Sequence, residues 1–274
     1  MAAGGGAQRE SSLAEEVAAR QWYHTLELAP GVQTPGWFDL RSVASQVLPE
    51  SLNGMRCLDV GTFDGFWAFD MERRGAREVV AIDVIDPEGW DWPGDREPEM
   101  VAALAERKGA GEGFELARRA LGSAVERREL SVHELDPERD GSFDLVYVGS
   151  LLLHLRDPVG ALMRARSVCT GTLIVCDAID PAKTRRFPRQ PVATLEGSKR
   201  PWWWKPNLAA LVRMVEAAGF EPTERPRTVR MPLGAAHERH RFRLAWLLDR
   251  TARDEMIITW RGDPHGVVVA RPRG

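Results

Sequence analysis

None of the apolar runs in this chain of 274 residues is long enough to cross a bilayer, so the sequence offers no membrane-spanning helix. Cysteine is scarce. Cys57, Cys169 and Cys176 are an odd set with no metal-ligand spacing, which argues against a disulfide framework and a zinc site; they read as reduced, buried thiols of a cytoplasmic protein. Residues 1–10 hold three consecutive glycines and no apolar stretch like that of a signal peptide, and read as a flexible lead. Tyrosine occurs only twice, whereas tryptophan occurs 10 times. With 43% hydrophobic residues the chain can bury a substantial core.

Neither sign of charge dominates, with a net charge of −3, but the distribution is uneven. Residues 1–137 carry 14 basic against 25 acidic side chains, and the remainder carries 23 against 15. The stretch from Lys183 through Arg185, Arg186, Arg189, Lys199 and Arg200 to Lys205 is the most basic, with Glu196 its single acid. It reads as a solvated connection, or as a patch for an anionic partner such as RNA.

The most informative segment is Cys57-Leu58-Asp59-Val60-Gly61-Thr62-Phe63-Asp64-Gly65. A short apolar strand breaks there into a loop with two glycines, and a helix begins at Phe66, so backbone amides at a helix start are exposed to a ligand. The strand over 78–83 ends in Asp83, 24 residues after Asp59, where a strand-end acid can take both hydroxyls of a ribose. The spacing Gly61-x-x-x-Gly65 is wrong for a dinucleotide pyrophosphate, and Asp59 and Asp64 would repel one. Two carboxylates suit a ligand with an ammonium or sulfonium charge.

These motifs resemble those of the class I S-adenosylmethionine-dependent methyltransferases. The run Gly149-Ser150-Leu151-Leu152-Leu153-His154-Leu155-Arg156-Asp157-Pro158 further resembles the branch that modifies wobble uridine in tRNA by carboxymethyl transfer, as do Trp22, His24, Trp37 and Trp204-Lys205-Pro206-Asn207. That branch clamps a carboxylated cofactor with lysines and a tyrosine. Here Leu153, and Phe38-Asp39 after the entry tryptophan, stand at matching places, so the resemblance favours plain S-adenosylmethionine and another acceptor.

Strand and helix patterns alternate, which predicts a doubly wound, mostly parallel seven-stranded α/β sheet, a Rossmann-like methyltransferase fold. Strands are expected over 56–60, 78–83, 129–135, 143–148, 173–176, 227–231 and 266–270. Residues 11–50 are expected to form an N-terminal helical lid, with helices over 11–20 and 39–47. Residues 51–274 would form the catalytic domain, with insertions near 86–108, 181–206 and 232–262, the last carrying a helix over 240–251.

On this reading Asp59, Gly61, Thr62, Asp64 and Gly65 line the methionine side of the cofactor and Asp83 its ribose. Val84, Glu134 and Leu135 flank the adenine, and Gly149 and Ser150 form the floor near the sulfonium. His154 and His24 are the candidate general bases, since many acceptors must lose a proton during transfer. Trp22, Tyr23, Trp37, Trp203 and Trp204 are candidate acceptor-binding aromatics. The acceptor is expected to be a small molecule of specialised metabolism. The alternatives are tRNA, modified by methyl or carboxymethyl transfer, and a cofactor-binding scaffold without turnover.

Overall fold

The computed structural model describes residues 12–93, 98–109, 111–196, 202–237 and 257–274. At its centre are β1 (Arg56–Val60), β2 (Glu78–Asp83), β3 (Glu126–Glu129), β4 (Phe143–Gly149), β5 (Cys169–Ala178), β6 (Phe220–Pro222), β7 (Arg227–Met231) and β8 (Asp263–Pro272). Spatial order runs β3-β2-β1-β4-β5-β8, with β6 and β7 both paired to the far side of β8. These last two occupy one strand position interrupted by residues 223–226, so eight segments make the seven expected positions. All pairings from β3 to β5 are parallel, and β8 runs antiparallel to β5.

Because successive strand residues point to opposite faces, each strand feeds two cores. Cys57, Leu145, Tyr147, Ile174 and Cys176 pack beneath α1 (Phe66–Arg73), α3 (Glu112–Leu121) and the entry segment. Leu58, Val60, Val146, Val148, Leu173 and Val175 pack beneath α4 (Pro158–Val168) and α5 (Leu208–Ala217). Parity places Asp59 on the first face, opposite Tyr147 in the neighbouring strand, where it is 1% exposed. Helix α2 (Pro98–Lys108) lies between β2 and α3 in sequence, and contacts the entry strand Trp22–His24. All three cysteines are buried and free.

Several elements depart from expectation. After a helix over 12–18 the entry segment is mostly extended, with short strands Trp22–His24, Glu27–Ala29, Val32–Gln33 and Gly36–Phe38. Thr34 fixes it: its hydroxyl donates to His24 O at 2.6 Å and accepts from Leu26 N at 2.7 Å. Gly36 permits the parallel pairing, because a Cβ there would fall 2.1 Å from the His24 backbone. The helix expected over 39–47 is only a 3-10 turn at Ala44–Gln46. The third strand ends at Glu129 instead of residue 135; Ser131 then caps a 3-10 turn, Val132–Glu134, in a capping box with Glu134. The helix expected over 240–251 lies outside the described residues.

Candidate active site

At the carboxyl ends of β1, β2, β4 and β5 a cavity of about 870 Å³ opens. This is the crevice in which open α/β sheets bind ligands, and its volume is ample for a nucleoside and a second small molecule. Of the residues expected in the site, Tyr23, His24, Trp37, Gly61, Asp83, Val84, Gly149, Ser150 and His154 line it.

Asp83 is the most firmly anchored acid of the cavity. Its carboxylate accepts from Phe63 N and Val84 N, each at 2.8 Å, which fixes the acid against the glycine loop. Lys108 Nζ, from the end of α2, donates at 2.6 Å to Asp83 Oδ1, the oxygen that also accepts from Val84 N; it is 8% exposed and lies over the rings of Phe63 and Trp90. Gly61 has φ +80° and faces Leu151 with room for van der Waals contact only. Gly65 serves packing instead: at φ +91° its missing Cβ leaves space for the Phe69 and Phe114 rings, which would lie 2.4 and 2.8 Å away.

Asp64 neither caps α1 nor faces the cavity. Its Oδ2 accepts from Tyr23 N at 2.7 Å and His24 N at 2.9 Å, pinning the entry strand over the glycine loop. His24 Nδ1 lies 3.5 Å from Asp64 Oδ1. Asp59 Oδ2 and Asp64 Oδ1 are buried, and Thr62 lies beside the Asp59 carboxyl. Burial pushes the Asp59 carboxyl up to about 7, although Thr62 and His24 pull the other way. Neither Asp59 nor Asp64 lines the cavity, so the structure does not bring these two carboxylates to the place expected for a ligand ammonium.

Other placements differ from the sequence reading. Trp22 does not line the cavity; it is a core residue, 1% exposed, whose indole donates to Val17 O at 3.0 Å. Trp203 and Trp204 brace the rim loops, donating to Asp91 O and Arg156 O, whereas Trp202 reaches the cavity. Glu134 and Leu135 are displaced from the wall because the chain turns after β3, and Ser131 and His133 line it instead. Phe63, Trp67, Trp90 and Trp92 complete an aromatic wall with Trp37.

Arg107, Lys108, Asp263 and His265 also line the cavity and were not among the expected site residues. Arg107 stacks over Trp37 at 4.2 Å, and burial lowers its guanidinium from the ordinary range. No motif announces these four, since they come from the end of a helix and the start of the last strand. A histidine at a strand-end position near a glycine was the one signal available for His265.

Comparison with known proteins agrees with this arrangement. Residues 37–225 match a family model described as a methyltransferase domain. A curated relative, a ubiquinone biosynthesis O-methyltransferase of Marinobacter nauticus, is 30% identical over 165 residues, covering 59% of this chain. The chain spans 57% of that relative's length. Among solved structures, the [4+2]-cyclase SpnF superposes with a TM-score of 0.52 at 18% identity, covering 96% of this chain and 93% of its own. The N-terminal domain of EvdMO1, crystallised in the presence of S-adenosylhomocysteine and D-fucose, gives 0.51 at 17% identity, covering 100% and 98%. At those identities the likeness shows the fold alone.

Proposed function

The chain belongs to the methyltransferase domain family, and we propose that it transfers a methyl group from S-adenosylmethionine to the hydroxyl of a small aromatic acceptor. The observation that carries this reading is the join between two halves of one cavity: the Asp83–Gly61 nucleoside end opens directly onto a wall of Trp37, Phe63, Trp67, Trp90 and Trp92. Flat rings stack on such a wall at low entropic cost. The partial relative supports the acceptor class, since its name is that of an O-methyltransferase.

S-adenosylmethionine, when bound, supplies an electrophilic methyl group on a cationic sulfur. Asp83 would take the ribose hydroxyls, which requires Lys108 to leave or share its carboxylate. The aromatic wall and the entry strand exclude water and hold the acceptor in line. Arg107, stacked on Trp37 in the cavity wall, would present its guanidinium to an acceptor with an acidic substituent. Leu153 and Phe38 line the cavity, and neither offers charge to a carboxylated cofactor. Asp39 is paired with Arg41 at 2.7 Å. The three buried free thiols fit a cytoplasmic setting.

Native mass spectrometry of the protein with equimolar S-adenosylmethionine, its carboxylated analogue and NAD tests the cofactor. Retention of S-adenosylmethionine, lost in Asp83→Ala, is expected; retention of the carboxylated form would redirect the search to tRNA. A panel of dihydroxybenzoates and aromatic amines then tests the acceptor class, and turnover of the amines alone would overturn the hydroxyl assignment.

A further inference from the structure

Ser150 leaves β4 at φ +51°, a left-handed conformation that is strained for a residue other than glycine. The turn holds its hydroxyl against the last strand. Ser150 Oγ lies 2.9 Å from His265 Nε2, across 115 residues of sequence. On the other side of the ring, His265 Nδ1 lies 3.2 Å from the main-chain oxygen of Asp263 and 3.7 Å from its Oδ2. Ser150, Asp263 and His265 all line the cavity, and His265 is 2% exposed.

The chemistry of the partners sets the direction of these bonds. A carbonyl oxygen can only accept, so Nδ1 carries the ring proton. In the neutral ring Nε2 is then a lone pair, and the Ser150 hydroxyl must donate to it. That leaves the Ser150 oxygen lone pairs for a donor in the cavity. An imidazolium formed here would face the Asp263 carboxylate on its own strand and Asp177 on β5, with the Tyr23 phenol across the cavity. Asp177 is itself held by the amides of Leu151, Leu152 and Ala178.

We propose that Ser150, His265 and Asp263 form a proton relay that removes the hydroxyl proton of the acceptor as it is methylated. Ser150 touches the acceptor and is the catalytic residue; His265 acts through it, and Asp263 sets the tautomer. The acceptor O–H bond breaks while the Ser150 proton passes to His265 Nε2, and the acceptor oxygen takes the methyl group. The electron pair of the cleaved carbon–sulfur bond stays on sulfur, and the relayed proton later returns through Ser150 to solvent. The relay rests on the methyl-transfer reading above and narrows it to acceptors with a dissociable proton.

Long-range ¹H–¹⁵N spectra of the full chain, ¹⁵N-labelled at histidine and saturated with S-adenosylhomocysteine, test it without any acceptor. Spectra of His265→Gln identify the signals. The expected result is a neutral ring protonated on Nδ1 at pH 7.5, with Ser150→Ala moving the Nε2 resonance. A ring protonated on Nε2 would overturn the relay. With an acceptor from the dihydroxybenzoate panel, Ser150→Gly and His265→Gln should lower kcat at least about 100-fold, leaving the Kd for S-adenosylhomocysteine within about twofold. Glycine adopts the left-handed turn freely, so Ser150→Gly should remain folded while its rate falls; an unchanged rate would refute the proposal. If wild type turns over no hydroxylated acceptor, the acceptor assignment fails and the spectra still judge the relay.

Discussion

Asp59 and Gly65 belong to one motif yet do different work. The Asp59 carboxyl titrates near 7 because burial penalises its charge. Its folded value lies above the ordinary value of 3.8, so its protonated form favours the folded state. That contribution is intact below about pH 4 and is lost as pH rises through about 7. Asp59→Asn should therefore leave stability unchanged at pH 4 and raise it at pH 8 by up to a few kcal/mol, since each tenfold change in proton affinity is worth about 1.4 kcal/mol. Urea melts at the two pH values check this, and a loss of stability at pH 8 would contradict it. At Gly65 an added Cβ meets the Phe69 and Phe114 rings as well as a left-handed backbone, so Gly65→Ala should destabilise by roughly 2 kcal/mol or more. Gly61→Ala meets only ordinary contact with Leu151 but keeps the left-handed backbone cost, so it should destabilise by less than Gly65→Ala, by about 1 kcal/mol, and also weaken cofactor binding.

At the scale of elements, two segments close the cavity, and each is tied to the glycine loop by a carboxylate. The strand Trp22–His24 hangs on Asp64 through two main-chain amides. Helix α2 (Pro98–Lys108) is docked through Lys108 on Asp83 and Arg107 on Trp37. Removing the Asp64 carboxylate strands two buried N–H groups, so Asp64→Ala should cost about 2–3 kcal/mol and loosen the entry strand. Hydrogen exchange should show faster exchange at residues 22–26 in this variant, with the sheet unaltered. Because Lys108 occupies Asp83, the acid proposed for the ribose, binding of S-adenosylhomocysteine should change protection across 98–108 in wild type. No change there would mean that cofactor and Lys108 share Asp83 without movement.

For the molecule as a whole, the fold is shared by a [4+2]-cyclase and an S-adenosylhomocysteine-associated domain, so fold alone does not specify the chemistry. The charge asymmetry provides a discriminating measurement. Basic side chains between 183 and 205 are partly neutralised locally: Lys183 pairs with Asp180 at 2.5 Å, and Lys205 lies over the Trp202 ring. We expect no retention of tRNA by gel shift at physiological salt, and acceptor turnover insensitive to ionic strength. Tight tRNA binding that collapses steeply with salt would reverse the choice of acceptor class.

What the sequence alone determined was local: the apolar strands, the glycine turn after β1 and the acid ending β2. Each is written in neighbouring residues, through strand parity and the positive φ that glycine permits. The extended entry segment was misread as helical because its order comes from Thr34 and Asp64, partners ten and forty residues away. Trp22, Trp203 and Trp204 could not be sorted from Trp37 and Trp202 by composition, since an indole in a core and one in a wall are the same residue. Only the tertiary structure decided that Lys108 meets Asp83 and that His265 meets Ser150. Those contacts join the ends of elements distant in sequence, and the crossing of the sheet, not any local preference, brings them within hydrogen-bond range.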